Sequence, residues 1–327
     1  MSSFSLPFVA FVALVTASAC SATGGTGFDD DDAGKKDSGT GISIGGGSDG
    51  GTEAGGPATE TVLYANTDTE LFSLNPSAPN VAPKSLGKFD CIGQGGAVAM
   101  TDIGVAKDGT IYGISQVAAY PLKPSADGKT VHCEETWPLP ANSRFYGLTM
   151  APVNTVNAEE TLIAANEAGE LYSIDAQSGK TTKVGNLGKD NQNNPFNLSG
   201  DIVFLANGGN PVGFATVRAC PKNKCQEFDT LIELNVSAIK PGASSVLKSI
   251  RGVLNLATSC KKSGIPTQFG SVYGVAAYGD KVYGFTRDGY SIEISNQNGD
   301  TCMLGSSTTM KFAGAGVTTM ATVVAPK

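Results

Sequence analysis

Short runs of alternating apolar and polar side chains fill the chain from residue 60 to its end. No stretch there keeps the 3.6-residue period of an amphipathic helix, whereas two-residue alternation is typical of half-buried strands. Glycine, aspartate, asparagine and proline separate the runs, as turn residues do. The pattern therefore predicts an all-β domain over residues 60–327.

Two types of run recur in pairs, which indicates an internal repeat. The first type occupies residues 61–66, 110–115, 161–166 and 281–286, with a looser copy at 211–216. The second type follows after a short turn, at residues 70–75, 119–123, 170–175, 230–235 and 290–295. Large apolar side chains in its third and fifth places share one face of a strand, and a small residue in its last place ends the strand.

Each pair of runs is flanked by two further strands. A run rich in small residues precedes it, at residues 103–106, 146–149, 200–203 and 273–276. A shorter polar run follows it, as at residues 182–185. Four strands per repeat of about 50 residues are typical of propeller blades, in which small residues suit the crowded innermost strand.

The two ends of the folded domain complement each other. The first repeat lacks an inner strand, and residues 314–318 form an inner strand with no blade after it. A C-terminal strand that completes the first blade would close the ring and remove an open sheet edge. We therefore expect a β-propeller of five four-stranded blades, with cores at residues 61–90 plus 312–325, 97–138, 145–188, 198–250 and 270–305.

The repeat resembles the PQQ-like and YVTN-like repeat propellers of secreted bacterial proteins, most clearly in Leu171-Tyr172-Ser173-Ile174-Asp175 and Ser178-Gly179-Lys180. The resemblance extends over the whole folded domain and implies a propeller fold. It does not imply a quinone, because the tryptophan docking motifs of quinoprotein dehydrogenases are missing and Trp137 is the only tryptophan. We expect no cofactor.

The N-terminus reads as an export signal. The first 20 residues hold no charged side chain, and their apolar run is shorter than the roughly 20 residues of a membrane-spanning helix, which predicts a signal peptide over residues 1–19. Ala17-Ser18-Ala19-Cys20 resembles the lipobox of bacterial lipoproteins, which implies acylation of Cys20. Simple secretion is the alternative, since Ala17-Ser18-Ala19 also fits the A-x-A cleavage pattern. The lipobox implies a lipid anchor in the cell envelope, at the outer membrane, with the periplasmic or surface side left open.

Residues 20–59 form the predicted anchor and linker. Residues 21–59 hold 13 glycines and only three large apolar side chains, so they cannot bury enough surface to offset the entropy of ordering. We expect a flexible, disordered tether with a span of about 35 Å. Its seven acids and two lysines account for −5 of the formal net charge of −7, which leaves −2 on the domain. No basic face is implied, which argues against a nucleic-acid partner.

The cysteine count is odd, and acylation of Cys20 would make it even. Seven cysteines leave one unpaired in an oxidising compartment, whereas six can pair completely, in 15 ways. We expect the pairs Cys91–Cys133, Cys220–Cys225 and Cys260–Cys302. Half of a zinc site is the alternative for Cys220 and Cys225, but no second cysteine pair has ligand spacing. We expect no metal site.

The loops between the second and third strands of each blade gather on one face of a propeller. They supply a candidate binding face made of Asp68, Gln116, Glu167, Arg218, Arg287 and Asp288. Trp137 is the sole tryptophan that could stack on a sugar, and packing at a blade edge is its alternative.

Catalytic chemistry has few candidates. His132 is the only histidine, in an outer strand, and we expect a structural or surface role for it. Some five-bladed propellers are glycoside hydrolases with acids around the central funnel, but only Asp201 lies on an expected inner strand. Asp90 and Asp102 fit turns equally well. We assign no catalytic residue and expect a non-catalytic binding or scaffold module, anchored in the envelope, with a protein or glycan ligand. A funnel hydrolase that uses carboxylates is the alternative.

Overall fold

The alternating runs form strands in the computed structural model, which describes residues 62–75, 83–206, 209–261, 263–278 and 281–319. The expected signal peptide, Cys20 and the tether lie outside the described residues. The strands, numbered in chain order, are β1 (Leu63–Thr67), β2 (Glu70–Leu74), β3 (Lys84–Phe89), β4 (Met100–Val105), β5 (Ile111–Ser115), β6 (Ala118–Pro124), β7 (Thr130–Cys133), β8 (Trp137–Pro138), β9 (Phe145–Ala151), β10 (Thr161–Asn166), β11 (Glu170–Ile174), β12 (Thr181–Asn186), β13 (Phe196–Leu205), β14 (Val212–Ala219), β15 (Thr230–Leu234), β16 (Leu247–Val253), β17 (Asn255–Leu256), β18 (Val272–Tyr278), β19 (Lys281–Thr286), β20 (Tyr290–Ile294), β21 (Asp300–Ser306) and β22 (Phe312–Val317).

Three short 3₁₀ turns lie between strands, at Pro221–Asn223, Val236–Ala238 and Thr258–Cys260. Within the described part of the chain, no helix has the length and apolar character needed to cross a bilayer.

The strands pair into antiparallel units of four, which we number from the N-terminus. From the inner strand outwards, unit 1 is β22-β1-β2-β3, unit 2 is β4-β5-β6-β7, unit 3 is β9 to β12, unit 4 is β13 to β16 and unit 5 is β18 to β21. Three pairings extend this plan: β8 pairs with β6, β17 with β21, and β3 with β7. The parallel β3–β7 pair joins units 1 and 2 into one nine-stranded sheet.

The C-terminal strand β22 completes unit 1, as the sequence predicts. It runs antiparallel to β1, with Val317 opposite Leu63 and Ala315 opposite Ala65. The pairing covers the backbone edge of β1 that would otherwise be open to another chain.

The inner strands β22, β4, β9, β13 and β18 lie next to one another in that order, and β18 in turn contacts β22. Small residues allow this approach. A methyl group added at Gly274 would lie 2.6 Å from the backbone nitrogen of Ala315, closer than any real contact. The small residues read from the sequence are therefore required by backbone packing between neighbouring inner strands.

The hydrophobic core lies between consecutive units. Ile163 and Leu171 of unit 3 pack with Ile202 and Phe204 of unit 4, and equivalent clusters join the other neighbouring units. A unit exposes one apolar face to each neighbour, so none is stable by itself. The structure is all-β, and this arrangement of four-stranded units is consistent with a β-propeller.

Three disulfide bonds tie loops to this framework. They join Cys91 to Cys133, Cys220 to Cys225, and Cys260 to Cys302, the pairs expected from the sequence. The first links the segment after unit 1 to β7, and the last links the 3₁₀ turn before unit 5 to β21. These two disulfides hold segments that lie between units, whereas Cys220–Cys225 closes a short loop within unit 4.

Candidate functional site

A cavity of about 420 Å³ opens at the end of the units where each second strand turns into the third. Every unit contributes one side chain to it from the end of its second strand or the turn that follows: Asp68, Gln116, Glu167, Arg218 and Arg287. These five residues belong to the binding face read from the sequence. The structure brings them together around one opening, and their role in binding stays a prediction.

The floor of the cavity is formed by bulges in the inner strands. Each inner strand slips by at least one residue against its partner at the same level, as between Phe145 and Gly147 and between Val272 and Gly274. A β-bulge re-aims the side chain of the extra residue. The residues at these bulges that line the cavity are Thr101, Tyr146, Ser199, Gly200, Tyr273 and Ala313.

Arg287 is held by Asp68 across the boundary between units 5 and 1. Its Nη1 and Nη2 atoms donate to the two carboxylate oxygens of Asp68, at 2.6 and 2.7 Å. This bidentate hydrogen bonding raises the pKa of the Arg287 guanidinium. Both side chains are partly exposed, at 35% and 41%, so the pair is accessible from the cavity.

Arg218 is held by a carboxylate of its own unit. Its Nε atom donates to Asp229 Oδ1 at 2.7 Å, and Nη2 donates to Ser271 Oγ at 3.2 Å. The Asp229 side chain is fully buried and also accepts the backbone N–H of Val272 at 2.8 Å. Both guanidinium charges of the cavity are therefore balanced by a carboxylate.

Other polar groups of the cavity retain hydrogen-bonding capacity. Glu167 is exposed, and its carboxylate has no hydrogen bond or ion pair with the rest of the described chain. Gln116 Nε2 donates to the hydroxyl of Tyr146 at 3.3 Å. Arg218 and Arg287 also keep N–H groups that these bonds do not use, so the cavity offers both donors and acceptors.

Directly below the floor, Asp102 joins three inner strands. Its Oδ1 atom accepts the backbone N–H of Ile103 at 2.8 Å and of Ala315 at 3.1 Å. Its Oδ2 atom accepts the N–H of Leu148 at 2.6 Å. The carboxyl group is fully buried and occupies the space beside Gly314, where an added methyl group would lie 2.2 Å from Oδ1.

Asp201 does the same for the remaining two inner strands. Its Oδ1 atom accepts the N–H of Ile202 at 2.5 Å, and Oδ2 accepts the N–H of Val275 at 2.7 Å. Asp102 and Asp201 thus bind one backbone N–H from each of the five inner strands.

The two carboxyl groups also interact with each other. Burial raises the pKa of Asp201 to about 8. Burial, and then the neighbouring carboxyl of Asp201, raise the pKa of Asp102 well above its usual range. Two carboxylates cannot both ionise at close range in a site shielded from water. The pair therefore retains a proton at neutral pH.

This geometry corrects two interpretations of the sequence. Asp201 was the funnel acid of the hydrolase alternative, but it is fully buried and does not line the cavity. Asp102 fits a turn in the sequence, but in the structure it lies inside β4. This strand begins at Met100, upstream of the inner strand expected at residues 103–106. One signal was present in the sequence: the equivalent position of every inner strand holds glycine or aspartate, at Asp102, Gly147, Asp201, Gly274 and Gly314.

Trp137 is a packing residue and not part of the binding face. It is only 6% exposed, and its ring stacks on Tyr112 with centroids 6.1 Å apart. Its Nε1 atom donates to Glu135 at 3.0 Å, and the ring lies against Gly179 of unit 3. The tryptophan fills the boundary between units 2 and 3, which agrees with the alternative prediction that it packs at a blade edge.

Asp288 lines a second pocket, of about 280 Å³, at the same end of units 4 and 5. Its lining residues come from three loops and adjacent strand ends: Glu227, Phe228, Pro266, Gln268, Phe269, Gly270, Ser271, Asp288 and Tyr290. Asp288 belongs to the predicted binding face, whereas Glu227 and Phe228 were not predicted, because their loop follows the loosest copy of the repeat. Ser271 forms the common wall, since it accepts the hydrogen bond from Arg218 of the first cavity.

Metal-binding residue types meet at one place in the described residues, at Asp90, Cys91 and Cys133. The two cysteines are joined in a disulfide and offer no thiolate. His132 Nδ1 lies 2.8 Å from Asp90 Oδ2, and both side chains are about half exposed. His132 is thus a surface residue of an outer strand.

Comparisons with known proteins assign no family. No protein-family model and no curated protein matches the chain. A solved structure of a protein of unknown function from Bacteroides caccae is 10% identical, covers 79% of this chain and 99% of its own, and has a TM-score of 0.42. A structure of BBS1N in complex with ARL6DN, soaked with mercury, is 9% identical. It covers 70% of this chain and 56% of its own, and has a TM-score of 0.35.

Proposed function

We propose that units 1 to 5 are the blades of a five-bladed β-propeller closed by β22. The support is that each unit has four antiparallel strands and that the five inner strands follow one another in a closed order. In such a ring, the second-to-third turns of all blades lie on one face. The cavity lies at that face.

We propose further that the protein is a non-catalytic binding or scaffold module and that this cavity is its ligand site. The observation that carries the proposal is the contribution of one side chain per blade, from equivalent positions, to a single opening. Recurrent side chains around one concave site suit recognition of a polar ligand. The ligand is a protein or a glycan.

The described carboxylates support binding more than acid–base catalysis. Asp102 and Asp201 are sealed below the floor and bound to backbone N–H groups. Asp68 is committed to Arg287 through both of its oxygens. A funnel glycosidase needs two carboxyl groups free to reach one glycosidic bond. Glu167 is the one acid of the cavity lining without a partner in the described chain.

The proposed location is the bacterial cell envelope, at the outer membrane, with Cys20 as the lipidated residue. The proposal rests on the lipobox-like Ala17-Ser18-Ala19-Cys20 and on the even number of remaining cysteines. The membrane is reached only through this lipid. The tether expected from the sequence would have a span of about 35 Å.

A paired binding screen tests the proposed site. The full-length protein is applied to a glycan array and used in envelope pull-downs, beside the variant Gln116→Ala/Glu167→Ala. The matched control is Lys107→Ala/Glu159→Ala, two exposed residues at the opposite ends of units 2 and 3. We expect a ligand that is lost only with the cavity variant.

Two results would contradict this proposal. A ligand retained by the cavity variant would place the site elsewhere. Turnover of a bound glycan by the wild-type protein, abolished in Glu167→Ala, would replace the binding module by the hydrolase alternative.

A further inference from the structure

Asp229 is a fully buried carboxylate that serves the cavity without lining it. Its Oδ1 atom accepts hydrogen bonds from Arg218 Nε at 2.7 Å and from Ser199 Oγ at 2.5 Å. Both donors line the cavity, and they lie on neighbouring strands of unit 4. Because a buried carboxylate needs such partners, it fixes the orientation of the guanidinium and of the hydroxyl group. This wall of the cavity is therefore preorganised before a ligand binds.

The charges of the cavity lining are largely compensated. Asp229 balances Arg218, and Asp68 balances Arg287 through two hydrogen bonds of 2.6 and 2.7 Å. Glu167 is the one charged lining residue without a partner in the described chain, and its exposure to solvent weakens its attraction for a cation. An anion would meet neutralised guanidinium groups and this carboxylate. The lining thus offers a ligand hydrogen bonds rather than a counterion.

The hydrogen-bonding groups of the lining are of both kinds. Arg218 Nη1 and Arg287 Nε make no hydrogen bond within the described chain, so they are available as donors. Gln116 and Glu167 also line the cavity, with amide and carboxylate oxygens that can accept. A hydroxyl group donates one hydrogen bond and accepts others. A ligand with several hydroxyl groups can therefore use the donors and the acceptors together.

Two tyrosines add apolar surface to the cavity floor. Tyr146 of unit 3 and Tyr273 of unit 5 are half-buried and line the cavity. An aromatic ring offers an apolar face, on which the C–H groups of a sugar ring can pack. The cavity volume of about 420 Å³ lies within the range of roughly 300–1,000 Å³ that is usual for small-molecule sites. Size and lining together suit a small molecule that carries many hydroxyl groups.

We propose that the ligand is a neutral sugar, free or at the end of a glycan chain, whose ring enters the cavity. Its hydroxyl groups bind Arg218, Arg287 and Gln116, and its C–H groups pack on the tyrosines of the floor. The proposal rests on the proposed function, because it names the ligand class of the same cavity. It favours a glycan over a protein partner, since one sugar ring fits a small concave site whose charges are already paired.

The test begins with the full-length protein on a glycan array. One set of glycans ends in neutral sugars, and a second set ends in sialic acid, a uronic acid or a sulfated sugar. We expect binding to members of the neutral set alone. The methyl glycoside of the recognised end sugar should compete, because it carries the ring that enters the cavity. Tighter binding of the longer glycan would identify a chain end as the source, and equal binding a free sugar.

Salt dependence separates a neutral ligand from a charged one. Affinity for the recognised glycan, measured by calorimetry, should stay the same as the salt concentration rises, because no ion pair forms with the ligand. A charged ligand would lose affinity under the same conditions.

Variants of the preorganised wall locate the site. Arg218→Lys keeps the charge but loses the planar fork of donors, and Asp229→Asn removes the carboxylate that orients it. Each should weaken binding at least tenfold. Arg251→Lys is the matched control, because Arg251 belongs to the same unit, donates to Glu233 at 2.6 Å and is as exposed as Arg218, at 26% against 24%. It should bind like wild type, and circular dichroism melts confirm that the variants are folded.

The outcomes separate this inference from the proposed function. Binding confined to the acidic glycans, an affinity that falls steeply with salt, or an affinity that folded Arg218→Lys and Asp229→Asn do not change would overturn the neutral sugar. If an envelope protein is captured instead and is lost with Gln116→Ala/Glu167→Ala, the cavity remains a binding site and only the ligand class is wrong. If no glycan or envelope protein depends on the cavity residues, both proposals fail.

Discussion

Asp102 and Asp201, on the inner strands β4 and β13, retain a proton between them and together accept one backbone N–H from each of the five inner strands. The inner edge of an inner strand has no neighbouring strand, so its N–H groups need another partner. Two side chains meet this need for all five strands at one level. The pair thus joins the strands that support the cavity floor.

The first prediction concerns pH. The pKa of Asp201 is raised to about 8 in the folded state, from 3.8, and the pKa of Asp102 is raised as well. Between about pH 4 and pH 8 the folded state therefore binds more protons than the unfolded state, so stability falls as pH rises. We expect the melting temperature to drop steadily from pH 5 to pH 8.

The variant Asp201→Asn is the control for this titration, because it removes one ionisable group of the pair. Its melting temperature should depend less on pH over the same interval. A wild-type melting temperature that is constant or rises from pH 5 to pH 8 would show that the pair does not hold a proton.

The second prediction concerns the backbone N–H groups. Asp102→Ala leaves three buried N–H groups without an acceptor, and each costs about 1–3 kcal/mol. We expect a loss of several kcal/mol in urea unfolding, and a smaller loss for Asp201→Ala, which frees two. Asp288→Ala, an exposed aspartate, serves as the reference and should stay within about 0.5 kcal/mol of wild type. Equal, small effects of all three changes would rule out this role for the pair.

The third prediction concerns closure. Deletion of residues 312–327 removes β22, exposes the edge of β1 and uncovers core residues such as Phe285, which packs on Phe312 at 5.2 Å between ring centroids. We expect loss of the cooperative melt and formation of oligomers on size exclusion. Deletion of residues 320–327 keeps β22 and serves as the control. A monomeric 312–327 deletion with an unchanged melting temperature would disprove the closure.

The fourth prediction concerns Cys20. Intact mass and N-terminal peptide mapping of the protein from a bacterial membrane fraction should find a mature chain that begins at acylated Cys20. The variant Cys20→Ser should move the protein out of that fraction. An unmodified Cys20, or a chain that begins elsewhere, would show simple secretion.

Local pattern was enough to predict much of this fold. Alternation and turn residues gave the strands, and the complementary ends gave the pairing of β22 with β1. The five cavity residues from Asp68 to Arg287 followed as well, because antiparallel connectivity places equivalent turns on one face.

Contacts distant in sequence were harder to predict. The parallel pairing of β3 with β7 depends on how neighbouring units meet, and no local pattern encodes it. The buried position of Asp102 was not predicted, because aspartate is also common in turns and because a bulge between Met100 and Asp102 shifts the register of β4. Burial of Trp137 depends on Gly179 of the next unit, which its own surroundings in the sequence do not reveal.

The most direct test of the central claim is hydrogen–deuterium exchange of the full-length protein with and without the ligand that the binding screen identifies. We predict slower exchange in peptides that cover the five cavity turns, at residues 66–69, 115–117, 166–168, 217–219 and 286–288. Exchange at the opposite ends of the same units, at residues 107–109 and 153–160, should not change. Protection confined to those opposite ends would contradict the account.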